Sequence, residues 1–397
     1  MVGAIRLMGS LHFSYHFVYL RFCCAMVPRG KKEMKRWIYM FLCLFFIAGC
    51  NAKTQLDELT LALTVGLDES QNGKLLIYSI SPVFNKESEN IYEVIRTLGV
   101  TPRDGRSKAN AFASGKIVGG KVQNVIVSKT FAETHDMFSY LDVFYRDPKN
   151  SITANFIVFD GPLKKLMYIH LKDKPRLSVA IRDVILTAHT SKQTTKANML
   201  LFHRLALDRA QTPFAPMLKV HKGDLVAGGI ALFNEQRKYV GSLSQTESPY
   251  FSILQKNIKP STFLTLAIKG LTKQKEYISI SVEHGDFSYK PSFRNGTFHF
   301  DVHMRLGVVM TESTTYIDMK KEKKKLEKLL AKEIQKQLEL VVKKLQTYEV
   351  DPIGFGLYAR AYEYKQFQKQ KSWAKAFAKA EINIHPTVEI ISYGVLQ

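Results

Sequence analysis

The distribution of cysteine is the feature that most constrains this chain. All four cysteines (Cys23, Cys24, Cys43 and Cys50) lie before residue 51, and the following 347 residues contain none. Residues 51–397 therefore have no disulfide framework, no thiolate metal site and no cysteine nucleophile. Such a body must be stabilised by an ordinary hydrophobic core, and a chain that is 46% apolar can form one.

An apolar run leads directly to the last of these cysteines. It extends from Trp37 to Ala48, which is shorter than the ~20 residues that a membrane-spanning helix needs. A cationic segment, residues 34–36, precedes it, and Gly49 separates it from Cys50. This order is typical of a secretory signal peptide. The ending resembles the lipobox of bacterial lipoproteins, in which the cysteine is diacylated and becomes the first residue. The alternative is a buried core helix that ends in a structural cysteine.

The length of this signal indicates where translation starts. Signal peptides are about 15–30 residues long, so a signal that began at Met1 would be unusually long, whereas one that begins at Met34 has 16 residues before Cys50. We therefore expect residues 1–33 to be an upstream extension, assigned by choosing too early a start codon. We expect residues 34–49 to be the signal peptide and Cys50 to be the lipidation site.

The chain is strongly basic. Residues 51–397 contain 50 Lys and Arg against 34 Asp and Glu, a formal charge of +16. This surplus permits attraction to anionic lipid headgroups or acidic partners, and it is also compatible with a merely solvated basic surface. No nucleic-acid recognition motif is present, so we expect no nucleic-acid partner.

The periodicity of the apolar residues predicts an α+β fold. We expect an N-terminal α+β region of one or two domains over residues 50–215, and a C-terminal α+β domain over residues 216–397. Expected strands are Leu59–Leu67, Lys74–Ile80, Val122–Val127, Ala154–Phe159, Leu225–Phe233, Phe263–Ile268 and Tyr277–Val282, with a further alternating strand at Phe298–Met304. Expected helices are a short one at Asn90–Leu98, then Arg176–Ala188 and Thr194–Arg209.

The most regular helical pattern lies in the C-terminal half. One apolar stripe predicts a long amphipathic helix that covers a sheet and ends near Asp351-Pro352. Its members are Leu326, Leu329, Leu330, Ile334, Leu338, Val341, Val342, Leu345 and Tyr348. A coiled-coil seam is the alternative, although the spacing is not a strict heptad. We expect a multidomain protein with mixed or antiparallel sheets and covering helices.

Two patterns in the sequence are candidates for sites of chemistry. Residues 115–122 nearly match a phosphate-binding loop, but Val122 replaces the required Ser or Thr and a strand-like segment follows, so we predict a turn into a strand. His299, Asp301 and His303 alternate on one strand face and are expected to be solvated rather than metal-binding. No nucleophile motif is present. We expect no enzyme, no cofactor and no metal.

The segment that follows the long helix is different. In Asp351-Pro352-Ile353-Gly354-Phe355-Gly356, two glycines flank an aromatic residue, which indicates a tight chain reversal with Phe355 packed inward. A contact with a partner is the other interpretation.

Several segments in order resemble the Ger(x)C family of spore-germination lipoproteins. The lipobox cysteine is followed by "LDEL" and "VGLD" at residues 56–68, by "SGK" and "GK" near residues 114–121, and by Arg146-Asp147-Pro148. Phe233, Val240-Gly241-Ser242-Leu243 and Glu247 resemble the start of the family's C-terminal region, and the long helix, Asp351, Gly354-Phe355-Gly356 and Trp373 follow in the family's order. Pro352 and residues 193–216 depart from the pattern.

The resemblance implies a non-enzymatic role. Family members are the C subunits of nutrient germinant receptors. They are anchored through a diacylglyceryl cysteine to the outer face of the spore inner membrane, beside two integral-membrane subunits. By the same resemblance Gly241, Glu247, Asp351, Gly354, Phe355 and Gly356 are candidates for a structural or partner-contact role. The alternatives are a solute-binding lipoprotein of a transport system, which would have two doubly wound lobes, and a surface hydrolase.

Overall fold

The computed structural model describes residues 59–83, 91–171, 174–258, 262–270 and 276–394. Residues 57–397 form one compact unit by themselves, with all three hydrophobic clusters within it. The expected upstream extension (residues 1–33), the signal peptide (residues 34–49) and Cys50 lie outside the described residues.

The described residues form an α+β structure, as predicted. The strands are β1 (Leu59–Leu61), β2 (Thr64–Glu69), β3 (Leu75–Pro82), β4 (Tyr92–Gly99), β5 (Lys116–Val118), β6 (Asn124–Ser128), β7 (Asn155–Phe159), β8 (Phe214–His221), β9 (Asp224–Phe233), β10 (Tyr239–Leu243), β11 (Thr262–Ile268), β12 (Glu276–Arg294), β13 (Thr297–Ser313) and β14 (Glu381–Ser392). The helices are α1 (Pro102–Ala109), α2 (Lys129–Thr134), α3 (Met137–Tyr140), α4 (Asp142–Arg146), α5 (Leu163–Met167), α6 (Leu177–Thr190), α7 (Met199–Leu207), α8 (Ser248–Leu254), α9 (Met319–Thr347), α10 (Phe355–Tyr362), α11 (Tyr364–Lys369) and α12 (Trp373–Ala378).

In the described part of the chain, eight strands form a mixed sheet in the order β10-β9-β8-β7-β6-β2-β3-β4. Its centre, β2-β6-β7-β8, is parallel, and both ends are antiparallel. Successive residues of a strand point to opposite faces. Val125 and Val127 therefore join the cluster that contains α2 and α7, whereas Ile126 joins the cluster that contains α5 and α6. Helices thus bury the central strands on both faces.

A second sheet has the order β11-β12-β13-β14, in which the first three strands are antiparallel and β14 runs parallel to β13. The inward residues Phe298, Phe300, Val302 and Met304 alternate along β13 as the sequence predicts. They share one hydrophobic cluster with the apolar stripe of α9, which confirms the long covering helix. The Asp318 side chain caps this helix by accepting a hydrogen bond from the Lys320 N–H.

One expected element is wrong. The segment Asn90–Leu98 is not a short helix, because its described part is strand β4, which pairs antiparallel with β3. The spacing of Ile91, Ile95 and Leu98 resembles a helical stripe, but Ile91 and Leu98 are exposed while Ile95 is buried. Alternation across the strand, rather than a helical face, decides what is buried.

Other elements differ from the expectations in extent. The strand expected at Leu59–Leu67 is divided between β1 and β2, and helix α7 begins at Met199, five residues later than expected. Strand β12 continues twelve residues beyond Val282, because it pairs with β13 along its whole length. The expected domain boundary at residues 215 and 216 falls inside β8, so strands from both regions share the large sheet.

Candidate functional site: the junction at the end of the long helix

The buried carboxylate of Asp351 is the centre of the candidate site. Oδ1 accepts a hydrogen bond from the Gly354 N–H at 2.8 Å, and Oδ2 accepts bonds from the Gly356 N–H at 2.9 Å and the Trp373 indole N–H at 2.8 Å. Burial raises the pKa of Asp351 above its ordinary value, while these three donors act in the opposite direction. The side chain therefore fixes the turn after α9 and attaches α12 to it.

The two glycines of this turn are required for different reasons. Gly354 has a φ of +95°, a left-handed conformation that favours glycine. A Cβ on Gly356 would overlap the backbone oxygen of Ala210 and would lie 2.5 Å from Nε1 of Trp373. The first glycine permits the reversal, and the second permits close approach of the segment before β8.

Phe355, between the glycines, is fully buried. Its ring centroid lies 5.1 Å from that of Phe300, and 5.6 Å from those of Tyr289 and Phe377. Trp373 packs edge-on against Phe298 at 5.2 Å. The expected inward packing of Phe355 is present, and it joins α10 and α12 to the second sheet.

Gly241 and Glu247 contact the last turns of the same long helix. The Tyr348 ring covers Gly241 so closely that a Cβ there would lie 2.5–2.7 Å from three ring atoms. The Glu247 carboxylate accepts hydrogen bonds from Lys344 Nζ, at 2.8 Å and 3.0 Å, and from the Ser244 N–H at 2.6 Å. Burial opposes ionisation of Glu247, but these bonds prevail and lower its pKa.

The six candidates inside the described residues therefore gather around the C-terminal end of α9. We call this region the junction: Gly241, Glu247, Lys344, Tyr348, Asp351, Gly354, Phe355, Gly356 and Trp373, with the segment 208–212 that contacts them. The Thr212 N–H donates to the backbone oxygen of Asp351 at 3.0 Å, and Arg360 pairs with Asp208 at 2.8 Å. The sequence predicts Tyr348 only as a member of the apolar stripe. It marks neither Lys344 nor the segment 208–212, because nothing local indicates a residue whose partner is more than 90 positions away.

The junction has the chemistry of a structural connection. Its carboxylates accept several hydrogen bonds each, and Asp351 is closed to solvent. Among residues 59–394, with the stated gaps, no group of three or more His, Cys, Asp or Glu side chains is placed to hold a metal. His299 pairs with Glu381, and His303 stacks on His385.

The segment that resembles a phosphate-binding loop is confirmed as a turn into a strand. Residues 119–123 connect β5 to β6, and no helix begins there. In the described part of the chain, no helix is both long and apolar enough to cross a membrane.

Two family models match the chain in sequence order. The model described as "Spore germination protein N-terminal domain" matches residues 52–220, and that described as "Spore germination B3/ GerAC like, C-terminal" matches residues 228–394. The chain belongs to the Ger(x)C spore germination family. The two matched regions meet within the hairpin of β8 and β9, so the junction contains residues from both.

Relatives and one solved structure agree with this membership. Spore germination protein GerQC of Bacillus cereus is 23% identical over 92% of this chain and 100% of the relative. Spore germination protein KC of Bacillus subtilis (strain 168) is 23% identical over 86% of this chain and 90% of the relative. The crystal structure of the GerBC protein superposes with a TM-score of 0.57 at 15% identity, covering 85% of this chain and all of that one. At this identity the likeness shows a shared fold.

Proposed function

We propose that this chain is a membrane-anchored lipoprotein subunit of a spore nutrient germinant receptor, needed for the germination response to nutrients. The observation that supports this most is the ordered match of two germination-family models over residues 52–220 and 228–394. The names of the relatives, which are spore germination proteins, point to the same process. The proposed role is non-enzymatic, as the family membership implies.

The proposed anchor is a diacylglyceryl group on Cys50. The N-terminal family match begins at residue 52, two positions after this cysteine. Residues 34–49, which precede the cysteine, have the length of a signal peptide. Two acyl chains bury enough CH₂ groups, at ~0.8 kcal/mol each, for stable attachment. Only eight residues separate Cys50 from Leu59, so the body would be held within ~30 Å of the membrane surface.

The proposed location is the outer face of the spore inner membrane, next to two integral-membrane subunits of the receptor. In this arrangement the junction would act as an internal connection rather than a contact surface, because Asp351, Gly354, Phe355 and Gly356 are buried. A partner subunit cannot reach these four residues without unfolding the turn.

The alternative of a solute-binding lipoprotein has less support. That class has two doubly wound lobes. The described sheets are instead one mixed sheet of eight strands, one of four strands in which three are antiparallel, and a parallel pair of β1 and β5. The family membership also favours a role in germination.

The proposal is tested by germination assays in a spore-forming strain in which this chain is the only intact family member. Spores without the gene are expected to fail to respond to one class of nutrient, and a wild-type copy is expected to restore the response. Spores with Cys50→Ala are expected to respond weakly and to lose palmitate labelling of the protein. Cys43→Ala, in the same signal segment, is the matched control and is expected to behave as wild type. A normal response to every nutrient in the deletion strain would contradict the proposal.

A further inference from the structure

A cleft of about 660 Å³ lies at the end of the large sheet where β6 and β7 begin. Residues of α6 line the cleft, and so does the turn from β5 to β6, which includes Gly120 and Lys121. Its volume is within the ~300–1,000 Å³ range of sites for small molecules. The cleft is distinct from the junction, with which it shares no residue.

Positive charge dominates the lining of this cleft. Lys121, Arg176, Arg182 and Lys196 all line it, and none of its lining residues is Asp or Glu. Arg182 pairs with the neighbouring Asp183 at 2.9 Å, and both side chains remain nearly half exposed. Lys121 and Lys196 are exposed. An anion would be attracted here, whereas a ligand with a free ammonium group would be repelled.

The rest of the lining combines polar side chains, those of Gln123, Ser151, Thr153 and Asn155, with apolar ones. Leu61, Ile185 and Leu186 contribute hydrocarbon surface to the cleft. This hydrocarbon surface favours a ligand with an apolar body.

We propose that this cleft is a binding site for an amphipathic organic anion. The anionic head, a phosphate or a carboxylate, contacts Lys121 and Lys196, and the apolar body lies against Leu61 and Leu186. Membrane phospholipids and free organic acids share this chemistry. The proposal does not depend on the germinant-receptor role, because it rests only on the lining of the cleft.

The test uses residues 51–397, which contain the whole compact unit. The probe is 1-anilinonaphthalene-8-sulfonate, which has an anionic head and an apolar body. At low salt, the double variant Lys121→Glu and Lys196→Glu is expected to bind the probe at least about tenfold more weakly than wild type. The reason is the loss of charge-assisted hydrogen bonds to the anionic head. The matched control, Lys328→Glu and Lys332→Glu on the exposed face of α9, changes the net charge equally and is expected to bind as wild type. Equal weakening in both double variants, or in neither, overturns the proposal.

A second arm identifies the source of the ligand. Soluble dihexanoyl phosphatidylglycerol and octanoate are each added as competitors of the probe. Displacement by the phospholipid alone indicates a membrane lipid, and displacement by octanoate as well indicates a free organic acid. Retention of the probe in the presence of both overturns the proposal. If the double variant unfolds, it is replaced by the variant Lys121→Gln with Lys196→Gln, which removes the charges without reversing them. This variant is also expected to lower the affinity for the probe.

Discussion

The hydrogen-bond partners of Asp351 favour a carboxylate, although burial raises the pKa of the group. All three groups that bond it are N–H donors, from Gly354, Gly356 and Trp373. In Asp351→Asn, the new amide would place its own N–H groups against at least one of these donors. We expect the free energy of unfolding to fall by about 2–4 kcal/mol, because a buried donor then has no acceptor. Urea unfolding followed by fluorescence measures this, since Trp373 is the only tryptophan in residues 51–397.

The control for this substitution is Asp301→Asn. Asp301 lies on β13 and accepts one long hydrogen bond, at 3.3 Å, from Asn383. Substitutions at such partly solvated sites usually change stability by less than about 0.5 kcal/mol. If both variants lose the same small amount, Asp351 does not organise the turn as the geometry indicates.

The role of Gly356 could be predicted only in part from the sequence. The pair of glycines beside Phe355 predicted a tight reversal, which is present with Gly354 at a φ of +95°. The specific need for Gly356 was not predictable, because the atom that excludes a Cβ is the backbone oxygen of Ala210. That contact joins residues 146 positions apart, and no local pattern encodes it.

At the scale of elements, strand β10 contacts the end of α9 where the ring of Tyr348 covers Gly241. Gly241→Ala is expected to destabilise the protein by about 1–3 kcal/mol, because the Cβ overlaps Tyr348. In a Tyr348→Ala background the same change is expected to cost little, since the overlapping ring is absent. A double-mutant cycle measured by urea unfolding gives the coupling energy. A cost of Gly241→Ala that is identical in both backgrounds would show that the ring is not the cause.

The ion pair between α9 and the loop before α8 gives a pH-dependent prediction. The pKa of Glu247 is lower in the folded protein than its ordinary value of 4.5, despite its burial, because Lys344 and Ser244 bond the carboxylate. A lowered folded pKa means that the contribution to stability is present above pH 4.5 and is lost as pH falls through the folded value. Both side chains are about one-third exposed, so the contribution is at most about 1 kcal/mol.

Glu247→Gln tests this directly. The variant is expected to be less stable than wild type at pH 7, and the difference is expected to shrink as the pH falls below 4.5. Glu312→Gln, on the exposed part of β13, serves as the control and is expected to show no such trend. A difference between wild type and Glu247→Gln that grows toward low pH would contradict the assignment.

Elements were predictable where one periodic pattern decided burial. The stripe from Leu326 to Leu345 predicted α9 because every third or fourth residue faces the sheet. The prediction of a helix at Asn90–Leu98 was wrong because apolar residues with a helical spacing lie in a strand. That strand is at the edge of the large sheet, where some apolar residues are exposed. The length of β12 was underestimated because pairing with β13, rather than apolar alternation, carries the strand to Arg294.

At the scale of the whole molecule, the junction joins the two regions that the family models match. Asp208 and Thr212 belong to the first region, and Arg360 and Asp351 belong to the second. The largest hydrophobic cluster also contains residues of both, including Leu205, Phe214 and the stripe of α9. Two of the three hydrophobic clusters of the described residues are therefore shared by both regions, and the third lies within the first region.

This arrangement predicts that residues 51–397 unfold in one cooperative transition. Circular dichroism reports on all elements, whereas Trp373 fluorescence reports on the second region, and the two urea curves are expected to coincide. Residues 228–397 alone would lack α7, the segment 208–212 and β8, which leaves part of the shared cluster exposed. That fragment is expected to unfold at a lower urea concentration than the longer chain, or not to fold. Two results together would contradict this prediction: a dichroism transition at lower urea than the fluorescence transition, and a fragment whose midpoint equals that of the longer chain. They would show that the two regions unfold independently despite their shared core.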